Sequence, residues 1–523
     1  MELLCPSAKR RRSEDLAAGE PPPRATEATE AANLGPTTHS KEPPPPPDAG
    51  GGGDVDRISG LPDAVLGEIV SLLSTKEAGR TQILASRWRH VWLASPLVID
   101  GRDLWTKPKI FTAANEALAS AVSKILSAHP GPGRRFCVPP HYLHDRPATV
   151  DAWLSSPALH NLQELDFWEG KHMVHRYGRP YPLAPPPAST FRFSATLRVS
   201  TLSKCELPDS SVEGIHFPHL KQLGLENVSF SEGSLHTMIS SCPVLECLLL
   251  NGIFGVGCLR ISSNTLRSIG VGTDFDCYRD NLHRDNLQLL EEVIIDAPCL
   301  ERSLYLGSFK PTNFIIISSP KLETLGCLNN DWFERTRLVF GTIIIQGLKV
   351  VSLTTTLNSV KTLAVASHNM NLDTVIELMK CFPCLENLYI KSCITGEMNR
   401  WRHKHRDFIK SCDIHLKKIV LRYRGIKSQI NFASFFLLNA RELELMRLEV
   451  GNTNYNEAFF AEQYGMLQME KRASRGMNST ITVYQKADLL LSCKLQTFSS
   501  RSSRASSMSS ISHQSLRSSG LDS

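Results

Sequence analysis

The chain has 523 residues, of which 41% are hydrophobic and 21% are charged, so it can bury one or more large cores. Its net charge of +6 is too small for this length to require a nucleic-acid partner. No run approaches the roughly 18 consecutive apolar residues that a membrane-spanning helix needs, and we therefore expect no membrane partner.

Both ends of the chain have compositions that predict disorder. Residues 1–56 contain proline and glycine runs, and their six Lys/Arg and ten Asp/Glu leave the remainder near +10. In the tail 484–523, thirteen of the last 25 residues are serine. The 14 cysteines without an export signal predict reduced thiols. The basic run Lys9–Arg12 is either a nuclear address or a solvated charge run. Together with the reduced thiols, it predicts a nuclear location, a cytoplasmic location or both.

The first folded segment, residues 57–100, has the pattern of three short helices. Pro62 stands at a helix start, and Ser74 with Glu77 three residues later forms a capping box for the second helix. Ser86 is predicted to cap the third helix. The first helix has an apolar face made by Val65, Leu66, Ile69, Leu72 and Leu73. Three short helices make a poor isolated core, so we expect a partner to cover exposed apolar positions.

The third helix carries two tryptophans among basic residues, in the stretch "LASRWRHVW" at 84–92. Interleaved aromatic and basic residues can stack on nucleic acid. They can equally form the apolar stripe of a helix that packs against protein, because Trp88 and Trp92 are four residues apart and share one face. The pattern of these nine residues leaves both interpretations open.

The segment resembles the F-box, and plant F-boxes in particular, the module by which adaptors join cullin-based ubiquitin ligases. The resemblance rests on "LPD" at 61–63, "VLGEIVSLL" at 65–73, "TKEA" at 75–78, "RT" at 80–81 and "RWRHVW" at 87–92. Gly79 departs from the apolar residue usual in the family, at a helical cost of roughly 1 kcal/mol relative to alanine. Ser86 replaces a common lysine. The resemblance implies that the tryptophans are core and interface anchors, with Trp92 mainly packing the helices.

The resemblance also implies partners, which are a Skp-type linker protein and, through it, a cullin. The residues implied in linker binding are Leu61, Pro62, Val65, Leu66, Ile69, Leu84 and Trp88. For each of these side chains, the alternative is packing within the three helices themselves.

Residues 101–410 repeat a short motif that predicts an irregular leucine-rich-repeat solenoid. P-x-L-E occurs at 243–246, 298–301, 320–323 and 383–386. The intervals are irregular between Leu322 and Val360. Elsewhere the copies start 21 to 25 residues apart, within the leucine-rich-repeat range, at Leu197, Leu220, Leu245, Leu266 and Leu290. One repeat cannot bury its apolar row alone, so the copies are expected to stack.

The predicted strands alternate inward apolar residues with residues on one exposed sheet face. Repeat proteins use such faces for binding, and the expected partner here is a protein substrate whose identity the sequence does not give. The candidate contacts are Gln222, Asn387, Tyr389, Lys418, Arg422 and Arg424. For any single position the alternative is ordinary solvent exposure.

Residues 414–450 resemble the FBD domain that ends many plant F-box/leucine-rich-repeat proteins, and "KRASRG" at 471–476 fits its close. We assign this domain to 411–483, as a C-terminal cap. The resemblance implies no separate biochemical activity.

The segment 400–427 overlaps this domain and carries ten Lys/Arg against two aspartates. In "KKIVLRYR", a period of two places basic and apolar side chains on opposite faces. Three interpretations are open, namely a solvated strand face with its loop, a site for acidic or phosphorylated protein, and nucleic-acid binding. Nucleic acid has the least support, because neither a known binding fold nor a strongly basic composition accompanies the segment.

No catalytic motif is present, neither a P-loop nor a nucleophile elbow, an H-E-x-x-H zinc motif or a dinucleotide-binding glycine pattern. The nearest metal-like pattern is Cys381 and Cys384, but the later Cys393 and Cys412 stand alone. Cys205 and Cys393 occupy the turn position of the repeats, which favours packing cysteines. The sequence therefore predicts no enzyme activity, no cofactor and no metal.

In chain order the prediction is an α/β protein with a disordered tail at 1–56, a three-helix F-box at 57–100, an irregular leucine-rich-repeat solenoid at 101–410, an FBD cap at 411–483 and a disordered tail at 484–523. Its expected function is that of a non-catalytic adaptor that presents a protein target to a cullin-type (SCF) ubiquitin ligase. The alternatives are an F-box scaffold outside any ligase, and a nucleic-acid-binding regulator that uses residues 400–427.

Overall fold

The structure is a computed structural model. It describes residues 58, 60–105, 111–168, 183–273, 288, 290–307, 312–330, 336–394, 414–423, 426–451, 457–467, 472–474, 476 and 478–484. Both predicted tails lie outside these residues, apart from Tyr484. Most of the basic segment 400–427 also lies outside them.

The described chain is a mixture of helices and strands. The helices are α1 Asp63–Leu72, α2 Thr75–Arg80, α3 Ser86–Ala94, α4 Gly101–Leu104, α5 Phe111–Ala128, α6 Tyr142–Asp145, α7 Pro147–Ser155, α8 Asp209–Val212, α9 Glu232–Ser240, α10 Leu372–Cys381, α11 Lys427–Asn439 and α12 Glu457–Met466. Turns of 3-10 helix occupy Thr81–Ile83, Pro157–Leu159 and Ala188–Phe193.

The strands are short and evenly distributed along the chain. They are β1 Leu97–Asp100, β2 Gly133–Val138, β3 Glu164–Phe167, β4 Val199–Ser203, β5 Glu206–Leu207, β6 Gln222–Phe230, β7 Cys247–Phe254, β8 Cys258–Ser262, β9 Ser268–Thr273, β10 Glu292–Asp296, β11 Arg302–Gly307, β12 Asn313–Ser318, β13 Thr324–Asn330, β14 Arg337–Phe340, β15 Ile343–Gln346, β16 Lys349–Ser352, β17 Thr362–Met370, β18 Asn387–Ile394, β19 Lys418–Tyr423, β20 Leu445–Gly451 and β21 Asn478–Tyr484.

Fifteen strands form one parallel sheet, which we call the front sheet. Its order is β1-β2-β3-β4-β6-β7-β9-β11-β13-β17-β18-β19-β20-β21, with β5 beside β6. Parallel neighbours cannot be joined by tight hairpins, so the chain must return behind the sheet after each strand. A parallel sheet that follows chain order is what repeats contributing one strand each produce.

The predicted side-chain alternation is present in some of these strands and absent from others. In β6, Leu223 and Leu225 are fully buried and Gln222, just before them, is partly exposed, whereas every residue of β7 is buried. In β18, Leu388 and Ile390 are buried and Tyr389 is half-buried. The buried set joins a single apolar core that extends from β1 to β20. The other set forms the solvent face of the front sheet, which we call the front face.

A second sheet covers the back of the core in the middle of the chain. This back sheet has the order β16-β15-β14-β12-β10-β8. The run that begins at Leu290 was predicted as one more front strand, and that prediction is wrong, because it forms β10 between β8 and β12. The corresponding front strand is β11, which pairs with β9. Val293 and Ile295 bury alternate side chains as a front strand does, so periodicity does not distinguish the two layers.

The glutamates of the P-x-L-E motif form ion pairs along one end of the front sheet. Each stands just before a strand and contacts a cation just before the adjacent strand. The pairs are Glu246–Lys221 at 2.6 Å, Glu301–Arg267 at 2.5 Å, Glu323–Lys361 at 2.8 Å and Glu386–Lys417 at 3.4 Å. Such exposed pairs contribute roughly 0–1 kcal/mol each, so they align the strand starts more than they stabilise the fold.

The first three helices dock on the start of the front sheet through buried hydrogen bonds. Thr75 Oγ1 accepts from the Asp100 amide at 2.8 Å and donates to the Val98 carbonyl at 3.2 Å. His129 Nε2 lies 3.0 Å from the Trp92 carbonyl, and His129 Nδ1 accepts from the Gly131 amide at 3.0 Å. Because Nδ1 accepts, the proton of the neutral ring is on Nε2, which donates to Trp92. We call this contact the His129 joint.

The His129 joint predicts a loss of stability at acidic pH. Burial lowers the pKa of His129 below its ordinary value of 6.5, against the opposing effect of the Trp92 carbonyl. Its contribution to stability is therefore complete above about pH 6.5 and decreases as the pH falls, because the unfolded chain takes up the proton more readily. We expect His129→Gln to lower the free energy of unfolding near pH 7.5 and to cost less near pH 5.

Chemical denaturation at the two pH values measures this difference. The exposed His90→Gln is the matched control, and it should leave the free energy of unfolding unchanged at both. A cost of His129→Gln that is equal at both pH values would contradict the assignment of a neutral ring.

Candidate functional site

The head, residues 58–96, contains α1, α2 and α3, and its local structure follows from its caps. The capping box of Ser74 and Glu77 is confirmed, with the Glu77 amide donating to Ser74 Oγ at 3.3 Å. The prediction that Ser86 caps α3 is wrong. Leu84 ends the 3-10 turn Thr81–Ile83, and Ala85, in extended conformation, takes the N-cap position. Ser86 is therefore already helical.

The head has a small core of its own. Leu66, Val70, Ala78 and Val91 are buried, and Leu61, Leu73, Trp88 and Trp92 pack partly buried against them. Arg87 fastens α3 to the start of α1 through Asp63 at 2.6 Å and the Leu61 carbonyl at 2.5 Å. Leu66 was predicted as a contact with the linker, but its side chain is fully buried and is not accessible to a partner. Its place is in the core.

An exposed apolar surface lies on the other side of α1. Val65, Ile69 and Leu72 follow one another by four and three residues, so they share one helix face, and all three are exposed. Ile83, with 82% of its surface exposed, and Leu84, with 66%, lie at the turn after α2. We call these five residues the apolar face of the head.

The predicted linker-binding residues divide between this surface and the interior. Pro62, Val65, Ile69 and Leu84 are exposed, Leu61 and Trp88 are half-buried, and Leu66 is buried. Leu72 and Ile83 were not among the predicted contacts. The helical spacing could have predicted Leu72 as a contact. Ile83 stands in the mostly polar stretch "GRTQIL" and gives no periodic signal.

Five of the six predicted target-binding residues lie on the front face, and four of them lie close together. Tyr389 of β18 is beside β19, where the ammonium of Lys418 lies 5.4 Å from the centre of the tyrosine ring. Arg422 is on the same face of β19. Asn387 pairs with Lys418 in register and donates to Thr362 Oγ1 at 3.2 Å.

Two predicted positions do not join this group. Gln222 is on β6, six strands from β18, or about 29 Å along the sheet at the usual strand spacing. Arg424 lies outside the described residues.

Two cations that were not among the predicted residues lie beside Lys418 and Arg422. Arg447 of β20 is exposed and lies opposite Val420 of β19 in register. Lys391 of β18 is on the same face as Tyr389 and is half-buried. We call Lys391, Lys418, Arg422 and Arg447, with Tyr389, the basic patch. Its members come from three strands that are far apart in the chain, so no local pattern joins them.

The opposite end of the front face carries charges that neutralise one another. Arg135 contacts Glu164 at 2.6 Å, Asp100 at 3.5 Å and Asp166 at 3.5 Å. Arg102 contacts Asp100 at 2.6 Å and Asp166 at 3.7 Å, and its guanidinium lies 5.5 Å from the ring centre of Trp168. We call these two arginines and three carboxylates the paired cluster.

Burial and pairing act in opposite directions on the two inner carboxylates of the paired cluster. Burial raises the pKa of Asp166, and the charges of Arg102 and Arg135 offset this only in part. Burial also opposes ionisation of Asp100, but the hydrogen bonds and charges of the same arginines keep the pKa of Asp100 below its ordinary value. The arginines therefore outweigh the effect of burial on the pKa of Asp100 but not on the pKa of Asp166.

The structure describes the side chains of only two of the four cysteines in the metal-like pattern. No group of three or more His, Cys, Asp or Glu that could hold a metal ion occurs among the described residues. Cys381 is buried and Cys384 is exposed, while the side chains of Cys393 and Cys412 fall outside the description. Cys205 is fully buried, which raises the pKa of its thiol to about 12.

In the described ranges, no helix has both the length and the apolar character to cross a membrane.

The central region of the chain is similar to a known protein family. Residues 150–390 match the family described as "FBD-associated F-box protein At5g56370, LRR repeats". The match is to its leucine-rich repeats and covers just under half of the chain. The matched region runs from α7 to β18, so it includes the back sheet as well as most of the front sheet.

The relatives are F-box proteins of Arabidopsis thaliana. The FBD-associated F-box protein At5g44490 is 31% identical over 292 residues, 54% of this chain and 56% of that protein. The F-box/FBD/LRR-repeat protein At1g51370 is 25% identical over 440 residues, 77% of this chain and 92% of that protein. The F-box/LRR-repeat protein At2g42730 is 24% identical over 470 residues, 80% of this chain and 96% of that protein. The first alignment therefore spans just over half of its relative, and the others span nearly all of theirs.

The departure of Gly79 from the F-box pattern predicts a stabilising substitution. A Cβ added at Gly79 would meet no atom within 4 Å, so alanine fits without strain. We expect Gly79→Ala to stabilise α2 by up to about 1 kcal/mol, because glycine is the poorer helix former. Amide hydrogen exchange in α2 measures the effect, and it should slow by up to about fivefold.

A glycine in a crowded position provides the contrasting control. A Cβ at Gly133 would lie 2.8 Å from the Leu159 Cα, so Gly133→Ala should destabilise the protein. Faster exchange in α2 after Gly79→Ala would contradict the prediction.

Proposed function

We propose that the protein is the substrate-recognition adaptor of a cullin-type (SCF) ubiquitin ligase. In this proposal the head binds a Skp-type linker, and the repeats bind a protein target. The apolar face of the head is the observation that carries the proposal. Six of the eleven exposed large apolar side chains in the described ranges lie in residues 58–84, namely Ile58, Val65, Ile69, Leu72, Ile83 and Leu84.

Burial of this face by a partner is energetically favourable. Covering an exposed valine, leucine or isoleucine side chain contributes roughly 1.5–3 kcal/mol when burial is complete. Exposed charged residues lie on the same part of the chain, with Glu68 on α1 and Lys76, Glu77 and Arg80 on α2. An apolar centre with a polar rim is the usual composition of a protein–protein interface.

The His129 joint gives the proposed adaptor its mechanical role. The buried hydrogen bonds of Thr75 and His129 fix the head against the first strands of the front sheet. A linker on the head and a target on the repeats are then held in a constant relative position, which raises the local concentration of target lysines near the ubiquitin carrier. The chain contributes no catalytic group in this proposal, and other subunits transfer the ubiquitin.

The proposal includes a nuclear or cytoplasmic location. Its support is chemical, since the nine cysteines that the structure describes fully are all free thiols, as expected in a reducing compartment. Fluorescence imaging of the tagged full chain tests this part, and a secreted product would contradict it.

Capture of a purified Skp-type linker by the full chain tests the proposed adaptor role. We expect Ile69→Asp with Leu84→Asp to weaken linker binding by at least about a hundredfold, because a carboxylate would be buried at two interface positions. Val351→Asp is the matched control, since Val351 is 63% exposed on the back sheet, and it should leave linker binding unchanged. Equal binding by the double variant and the control would contradict the proposal.

A second measurement separates the ligase adaptor from a scaffold that acts outside a ligase. A cullin added to the chain–linker complex should join it if the chain is an adaptor. Linker capture without cullin recruitment would favour the scaffold.

A further inference from the structure

The two ends of the front face differ in how their charges are satisfied. In the paired cluster, each arginine contacts at least two carboxylates within 4 Å. In the basic patch, none of the four cations forms an ion pair with any residue that the structure describes. The paired cluster therefore has little charge left for a ligand, whereas the basic patch has an excess of positive charge.

The cations of the basic patch are concentrated on three adjacent strands. Lys391 lies on β18, Lys418 and Arg422 on β19, and Arg447 on β20. One carboxylate, Glu449, shares this part of the face, and it is 8% exposed. Neighbouring strands lie about 4.8 Å apart, so four cations and one acid occupy a width of about 10 Å. This density of like charge favours an anionic ligand.

The strands beside the basic patch carry small side chains. Ala364 of β17 is next to Tyr389, and Ala366 is next to Lys391. On β13, Gly326 stands so close to Ala364 that an added Cβ would lie 2.6 Å from the alanine Cβ. The aromatic and basic side chains of the basic patch are therefore flanked on this side by residues without charge.

We propose that the basic patch binds an extended acidic segment of the target protein. The carboxylates of the segment pair with Lys418, Arg422 and Arg447, and its backbone crosses β17 to β20 beside Tyr389. These four strands span about 15 Å, which an extended segment of about five residues covers. This inference rests on the proposed function only for the identity of the ligand as a ubiquitylation target.

A peptide-binding measurement with the full chain tests the inference. The probe is a fluorescent peptide of about ten residues that alternates glutamate and serine, and its neutral counterpart carries glutamine in place of glutamate. We expect the acidic peptide to bind at least about tenfold more tightly at low ionic strength and to lose this advantage near 0.5 M salt. Equal binding of the two peptides would overturn the proposal.

Charge reversal locates the binding surface. Lys418→Glu with Arg447→Glu should weaken the acidic peptide by at least about tenfold. Arg337→Glu with Lys349→Glu is the matched control, because it makes the same change in net charge on the exposed residues of the back sheet. If the reversed variant fails to fold, Lys418→Gln with Arg447→Gln replaces it, with a smaller loss expected. Equal losses in the front-face and back-sheet variants would overturn the proposal.

The chemical class of the ligand is tested in two further arms. A peptide with phosphoserine in place of serine should bind at least as well as the glutamate peptide, because phosphate offers the same cations more negative charge. A single-stranded oligonucleotide of similar charge should bind more weakly than the peptide. Tighter binding of the oligonucleotide, lost in the front-face variant, would overturn the proposal in favour of nucleic acid.

The outcome is independent of the head. Ile69→Asp with Leu84→Asp should retain full binding of the acidic peptide, and the front-face variant should retain capture of the linker. Failure of the unaltered chain to capture the linker, with intact peptide binding, would remove the ligase assignment and leave this surface in place. The reverse result would remove this inference and leave the adaptor in place.

Discussion

From β1 to β20 the front sheet places apolar side chains, such as Leu388 and Ile390 of β18, into a core that no single repeat can close. Stacking is therefore a condition for burial, and the parallel order follows from it, because each strand needs its chain neighbour on one side. Hydrogen bonds between strands and the ion pairs of the P-x-L-E glutamates then fix the register. The front face is a consequence of this arrangement, since the residues between the buried leucines can only face outward.

The local patterns predicted where strands form, but they did not predict which of the two sheets a strand joins. Leu220 and Leu416 each introduce a front strand because the strand period of two is readable within six residues. The run from Leu290 has the same period and forms a back strand. What separates the two is the partner strand, and that depends on contacts outside the run. The strands of the back sheet and most strands of the front sheet lie within the same matched range, residues 150–390.

The candidate surfaces were predicted in part, for a related reason. In α1, Val65 and Leu66 are adjacent apolar residues, and helical spacing does not say which of them faces the core of the head and which faces solvent. On the front face, Tyr389, Lys418 and Arg422 were found because each follows a clear leucine pattern. Lys391 follows Tyr389 by two residues, so the same period could have predicted it, whereas Arg447 lies next to them only through the register of β19 and β20.

The position of the basic patch along the sheet has a mechanical consequence for an adaptor. The head is fixed to β1, and β19 is eleven strand steps further along the front sheet. At the usual spacing this is about 53 Å measured along the sheet, and each added or removed strand would change it by about 4.8 Å. In the proposed adaptor, a target segment on the basic patch would therefore be held at a distance set by the number of repeats. Because the His129 joint uses a neutral ring and backbone groups, salt that weakens target binding leaves this spacing unchanged.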